Sequence, residues 1–129
     1  MKMKHFLLAA CLLPAISLAN SQIVIDKSSQ SYRLFVDGQV VKTGKVSTSK
    51  RGHPTPSGSF KIRSKFQMVR SKKYRALMPN AMFFIGTKYA IHAGWVPGYP
   101  VSHGCIRVPR SDSPQLFSIL PVGSTVIIK

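Results

Sequence analysis

Cys105 stands two residues after His103 and thirteen after His92, inside the run Ser102-His103-Gly104-Cys105. A cysteine with imidazoles in reach is the pairing used in covalent thiol catalysis: the imidazole takes the thiol proton and the thiolate attacks a carbonyl carbon. In an extended segment His103 and Cys105 project to the same side, because side chains alternate along a strand. Gly104 between them has no side chain, so the backbone can approach a substrate carbonyl. His92 follows Ile91 in an apolar run and is expected on the opposite sheet face from Ile91. Two other uses compete. A lone cysteine is often simply packed in a core, and His92, His103, Cys105 and His53 could together ligate zinc. The tight His-Gly-Cys spacing ranks zinc below the nucleophile, so neither a metal nor a cofactor is expected.

Composition narrows the chemistry further. The 129 residues suit one domain, and 44% hydrophobic content suits a packed core. There are 19 Lys+Arg against 3 Asp+Glu, a net charge of +16. The acids are Asp26, Asp37 and Asp112, with no Glu, which argues against carboxylate-pair hydrolysis and carboxylate-built Mg or Ca sites. Lys61, Arg63, Lys65, Arg70, Lys72, Lys73 and Arg75 form a basic tract. Such a tract is either a solvated face or an attractor of polyanions. No nucleic-acid-binding motif accompanies it, so nucleic acid is not expected as a partner. Anionic cell-envelope polymers fit better.

The N-terminus supports an exported chain. Lys2 and Lys4 precede an apolar run over residues 6–19 that closes on Ser17-Leu18-Ala19. That order reads as a secretory signal peptide over residues 1–19, cleaved after Ala19. Leu8-Ala9-Ala10-Cys11 offers a lipoprotein-like alternative. Ordinary cleavage removes Cys11, leaving Cys105 as the one cysteine of a domain over residues 20–129, with no transmembrane anchor. An unpaired cysteine in an oxidising compartment forms no intrachain disulfide. The expected location is the periplasm or cell envelope, and the expected state a monomer.

The elements that must position these residues are mostly short strands. Residues 22–26 and 31–36 read as strands, and Asp37-Gly38 as a two-residue hairpin into 39–41. Residues 60–66 alternate Phe60, Ile62, Ser64 and Phe66 with Lys61, Arg63 and Lys65, predicting one strand with a greasy face and a cationic face. Residues 82–86 and 89–93 read as buried strands, 94–104 as a loop, 105–108 as extended and 124–129 as a last strand. One helix is expected over 113–120, capped by Asp112 or Ser113 with Pro114 at its first position. The chain is thus a mainly β single domain with one short helix.

The segment from Ile91-His92-Ala93-Gly94 through Pro97-Gly98-Tyr99-Pro100 to Ser102-His103-Gly104-Cys105-Ile106-Arg107 resembles the signature of the L,D-transpeptidase catalytic domain, the YkuD family. Pro54-Thr55-Pro56-Ser57-Gly58-Ser59-Phe60 is similar to that family's Thr-Pro-Thr-Pro-x-Gly-x-Phe element, with His53 where the first Thr would stand. Leu120-Pro121-Val122-Gly123-Ser124-Thr125-Val126 resembles its closing strand. The resemblance implies a β-sandwich-like YkuD fold and peptidoglycan chemistry: a thioester formed from a tetrapeptide stem with release of D-Ala, then passed to an amine. It implies Cys105 as nucleophile, His92 as general base oriented by the Ala93 carbonyl, and His103 as a second essential histidine. Ser102 would support the hydrogen bonding, and the N–H groups of Gly104 and Cys105 would face the oxyanion. Arg107 would bind a substrate carboxylate or brace the loop, and Tyr99, on a spacer shorter than in many members, would border the substrate. Transfer of the thioester to water, giving a carboxypeptidase or hydrolase, and an inactive basic wall-binding module are the competing readings.

Overall fold

The computed structural model describes residues 20–72 and 74–129. The expected signal peptide, Cys11 and Lys73 lie outside them. Two sheets pack face to face. In the first, β1 (Ser21–Asp26), β2 (Ser31–Val36), β3 (Gln39–Lys45), β4 (Gly58–Lys61) and β9 (Thr125–Ile128) lie in the order β3-β2-β1-β9-β4. In the second, β5 (Ser64–Arg70), β6 (Leu77–Ile85), β7 (Tyr89–Ala93) and β8 (Ile106–Val108) lie in that order. The one α-helix among the described residues, α1 (Ser113–Ile119), packs against β6.

Local chemistry explains several joints. Asp37 and Gly38 both take positive φ, 50° and 80°, as a two-residue hairpin demands, and Val36 pairs with Gln39. Between the sheets lie Ile23, Ile25, Tyr32, Leu34, Val126 and Ile128 from the first and Met82, Phe84, Ile91, Ile106 and Val108 from the second. Leu116 and Leu120 close one side. Burying a side chain of this size is worth about 1.5–3 kcal/mol, which makes this layer the main source of cohesion.

Three expectations change. Residues 60–66 do not form one strand. The chain crosses between sheets at Ile62 and Arg63, whose N–H groups donate to Ser124 O (2.9 Å) and Phe83 O (2.8 Å). Ile62 is therefore buried in the core, while Phe66 is exposed. The cationic face is not uniform either. Lys65 Nζ donates to the Phe117 carbonyl and lies 4.2 Å from the Phe117 ring centroid, and this burial pulls its pKa down. Finally, Asp112 occupies the helix N-cap but makes no capping bond. Its Oδ2 instead accepts the Tyr32 hydroxyl at 2.7 Å, which together with burial pushes the Tyr32 pKa up.

Candidate active site

β7 and β8 run parallel, with Ile91 beside Ile106, His92 beside Arg107 and Ala93 beside Val108. Ile91, Ile106 and Val108 point into the core. Alternation therefore sends His92 and Arg107 to the opposite face, as expected for His92. Cys105, in the bend just before β8, opens onto the same side. All three line a cleft of about 620 Å3, roofed on one side by the tip of the β5–β6 hairpin through Ser71, Lys72 and Tyr74.

The His92 ring has a defined orientation. Its Nδ1 lies 2.9 Å from the Ala93 carbonyl oxygen. A carbonyl only accepts, so this contact places the proton on Nδ1 and leaves Nε2 as a lone-pair acceptor. Burial lowers the His92 pKa from the ordinary 6.5; the Ala93 hydrogen bond raises it and the Arg107 charge lowers it. Burial likewise raises the Cys105 pKa above the ordinary 9.0, against the lowering effects of an Ala90 backbone hydrogen bond and Arg107. Each shift is in the direction of the uncharged form, a neutral imidazole and a thiol.

Residues 102–105 form a bend rather than an extended strand. Gly104 has φ +129°, and a Cβ there would lie 2.7 Å from the Tyr89 ring, so only glycine fits. Ser102 Oγ donates to the Cys105 carbonyl and accepts the Gly104 N–H at 3.2 Å. In this structure the Gly104 N–H, which the resemblance assigns to the oxyanion, is engaged by Ser102 Oγ. The bend carries His103 outward. Its exposed ring stacks on Tyr74 (4.1 Å between centroids, 13° between planes) and meets His53 edge-on at 5.0 Å. Tyr99 is not among the residues lining the cleft: its ring packs near Trp95 on the far part of the spacer. Among the described residues no three His, Cys, Asp or Glu side chains are placed to hold a metal ion.

Two supporting residues have no role assigned from the sequence. Thr55, buried, donates from Oγ1 to the Gly104 carbonyl at 2.8 Å and accepts the Ser49 N–H at 3.1 Å. The Pro/Gly element therefore clamps the turn bearing Cys105. Ser47, fully buried, donates to Tyr99 O (2.7 Å) and accepts Val101 N–H (3.1 Å), fixing the spacer. Thr55→Val keeps the shape and orphans both partners. It is expected to cost about 1–3 kcal/mol in urea denaturation; an unchanged midpoint would show that the clamp carries no energy.

A family model described as the L,D-transpeptidase catalytic domain, YkuD, matches residues 20–128. The chain belongs to this family. It is 27% identical over 122 residues to "Putative L,D-transpeptidase YqjB" of Bacillus subtilis, covering 82% of this chain and 69% of that protein. It is 33% identical over 105 residues to "Probable L,D-transpeptidase YbiS" of Escherichia coli, covering 73% of this chain but 34% of that protein. The fold matches an L,D-transpeptidase from Mycobacterium smegmatis with TM-score 0.80 at 22% identity, over 86% of this chain and 59% of that one. It also matches one from Stackebrandtia nassauensis with TM-score 0.79 at 27% identity, over 85% and 55%. This L,D-transpeptidase domain thus spans a little over half the length of these solved chains. Within it, the Cys105–His92 face lies wholly inside the matched region.

Proposed function

We propose that the protein is a cysteine L,D-transpeptidase acting on peptidoglycan stem peptides through a thioester on Cys105. The observation that supports this most is the shared cleft face of Cys105 and His92, with Nε2 left as the acceptor. As the thiol sulfur bonds to the carbonyl carbon before the stem's terminal D-Ala, its proton passes to His92 Nε2. The tetrahedral oxyanion would be met by the Cys105 N–H, since the Gly104 donor is occupied. The imidazolium then gives that proton to the departing D-Ala amine as the C–N bond breaks. In the second half, an amine on a neighbouring stem loses a proton to His92, attacks the thioester and releases the thiol. Arg107, beside His92, suits a carboxylate of the donor through a bidentate contact. His103 shapes the mouth of the site with Tyr74 and His53 rather than serving as the base. Export to the periplasm or envelope, and attraction to its anionic polymers through the basic surface, belong to the same reading.

Mass spectrometry of products from a disaccharide-tetrapeptide tests it. Cross-linked dimers with loss of D-Ala are the expected result. Tripeptide alone would make the protein a carboxypeptidase instead, and unchanged substrate would contradict the reading.

The protonation states give a further expected result. Because the base must be uncharged, kcat/KM rises with pH through the lowered His92 pKa, so the acidic limb lies below 6.5. Burial pushes the Cys105 thiol up, so ionisation of the free thiol adds no second limb at neutral pH and a plateau is expected above the acidic limb. An acidic limb above 6.5 would contradict a neutral resting His92.

A further inference from the structure

A second depression, of about 720 Å3, opens where β7 and β8 end. Its lining includes Gly44, Lys45, Trp95, Arg110, Ser111 and Asp112. Trp95 comes two residues after Ala93 and Arg110 two after Val108, the last residues of the paired strands. The depression therefore adjoins the strand ends that carry His92 and Arg107. Gly94 marks the seam, since a Cβ there would lie 3.0 Å from Arg107 Cδ.

Trp95 is 62% exposed and Tyr99 55% exposed, with ring centroids 6.4 Å apart and planes at 80°. These rings are held out by a braced segment. Gly94 N–H donates to Val108 O at 3.0 Å, Ser47 grips Tyr99 O and Val101 N–H, and Pro97 and Pro100 fix their own φ. Little loop entropy remains to be lost when something binds them. The same depression is lined by the cationic residues Lys45 and Arg110 and by Asp112, whose Oδ2 is anchored by Tyr32. Gly44 has no room for a side chain, because a Cβ would lie 2.6 Å from both Asp112 and Tyr32.

A flat aromatic face flanked by charged donors and one carboxylate acceptor suits a saturated sugar ring. The sugar's C–H face lies on the π surface, and its hydroxyl and acetamido groups hydrogen-bond at the rim. We infer that this depression, with Trp95 and Tyr99, binds a β-1,4-linked N-acetylhexosamine polymer, holding a glycan strand while its peptide enters the adjoining cleft. The ligand's identity rests on the peptidoglycan reading above, but its binding is measurable without turnover.

Trp95 is the single tryptophan of the chain, so its emission reports on this site alone. Titration with a tetrasaccharide of β-1,4-linked N-acetylglucosamine is expected to give a saturable blue shift that persists in Cys105→Ala. By calorimetry, Trp95→Ala should weaken binding at least about tenfold, the order that loss of one aromatic contact supplies. Trp95→Phe, which keeps a stacking face, should fall between. Trp95→Ala should also raise KM for glycan-linked stems and leave KM for free tetrapeptide unchanged. No spectral change up to millimolar sugar would overturn the inference, as would equal affinity in Trp95→Ala. Saturable binding in a protein that leaves tetrapeptide untouched would support this site while removing the transpeptidase reading.

Discussion

Cys105→Ala is expected to lower D-Ala release from a tetrapeptide by on the order of 10^4-fold or more, to background. Removing a covalent nucleophile removes the whole two-step route, and what survives is binding and oxyanion stabilisation. The fold should survive the change. Cys105 sits on the wall of the cleft, packed against the small cluster of Met78, Ala81, Phe83 and Ala90. Losing one sulfur from a wall open to solvent should change unfolding free energy by about 1 kcal/mol or less. Melting temperature and activity, measured on one preparation, separate the two effects. Full activity in the variant would end the thioester account.

His92→Gln is expected to slow acylation by roughly 10^2–10^4-fold, the usual contribution of a positioned general base. The resting thiol is pushed away from ionisation by burial, so losing Nε2 removes the acceptor this account assigns to its proton. The defect should shrink as pH rises toward the Cys105 pKa, because hydroxide then supplies the thiolate. That pH-dependent recovery distinguishes a missing base from a damaged fold. Wild-type rates at neutral pH would instead move the base to His103, whose ring stacks on Tyr74 at the cleft mouth.

Much of this arrangement is legible in the amino-acid sequence alone. Asp37-Gly38 forms the hairpin because both residues tolerate positive φ, a purely local property. His92 faces away from the core because strand alternation is also local, and Ile91 marks the buried side. The Ser-His-Gly-Cys resemblance carries the family, and the family model confirms it. What sequence hides is decided by partners distant in the chain. The alternation of residues 60–66 looks like one strand, yet Ser124 and Phe83 take the Ile62 and Arg63 N–H groups and divide it between sheets. Asp112 looks like a helix cap until Tyr32, eighty residues earlier, claims its carboxylate. Thr55 reads as one position of the family-like Thr-Pro element, with nothing local to show that it holds the Gly104 carbonyl. Ser102 reads as a support of the site, and nothing local shows that its Oγ accepts the very Gly104 N–H that the resemblance assigns to the oxyanion.

The central claim is a covalent bond between Cys105 and the stem. The most direct measurement is the intact mass of the protein quenched in acid during turnover of tetrapeptide, with peptide mapping of any adduct. The account predicts an adduct equal to the stem without its D-Ala, located on Cys105 and lost on mild treatment with hydroxylamine. An unmodified mass in a sample that is releasing D-Ala, or an adduct on any other residue, would contradict it.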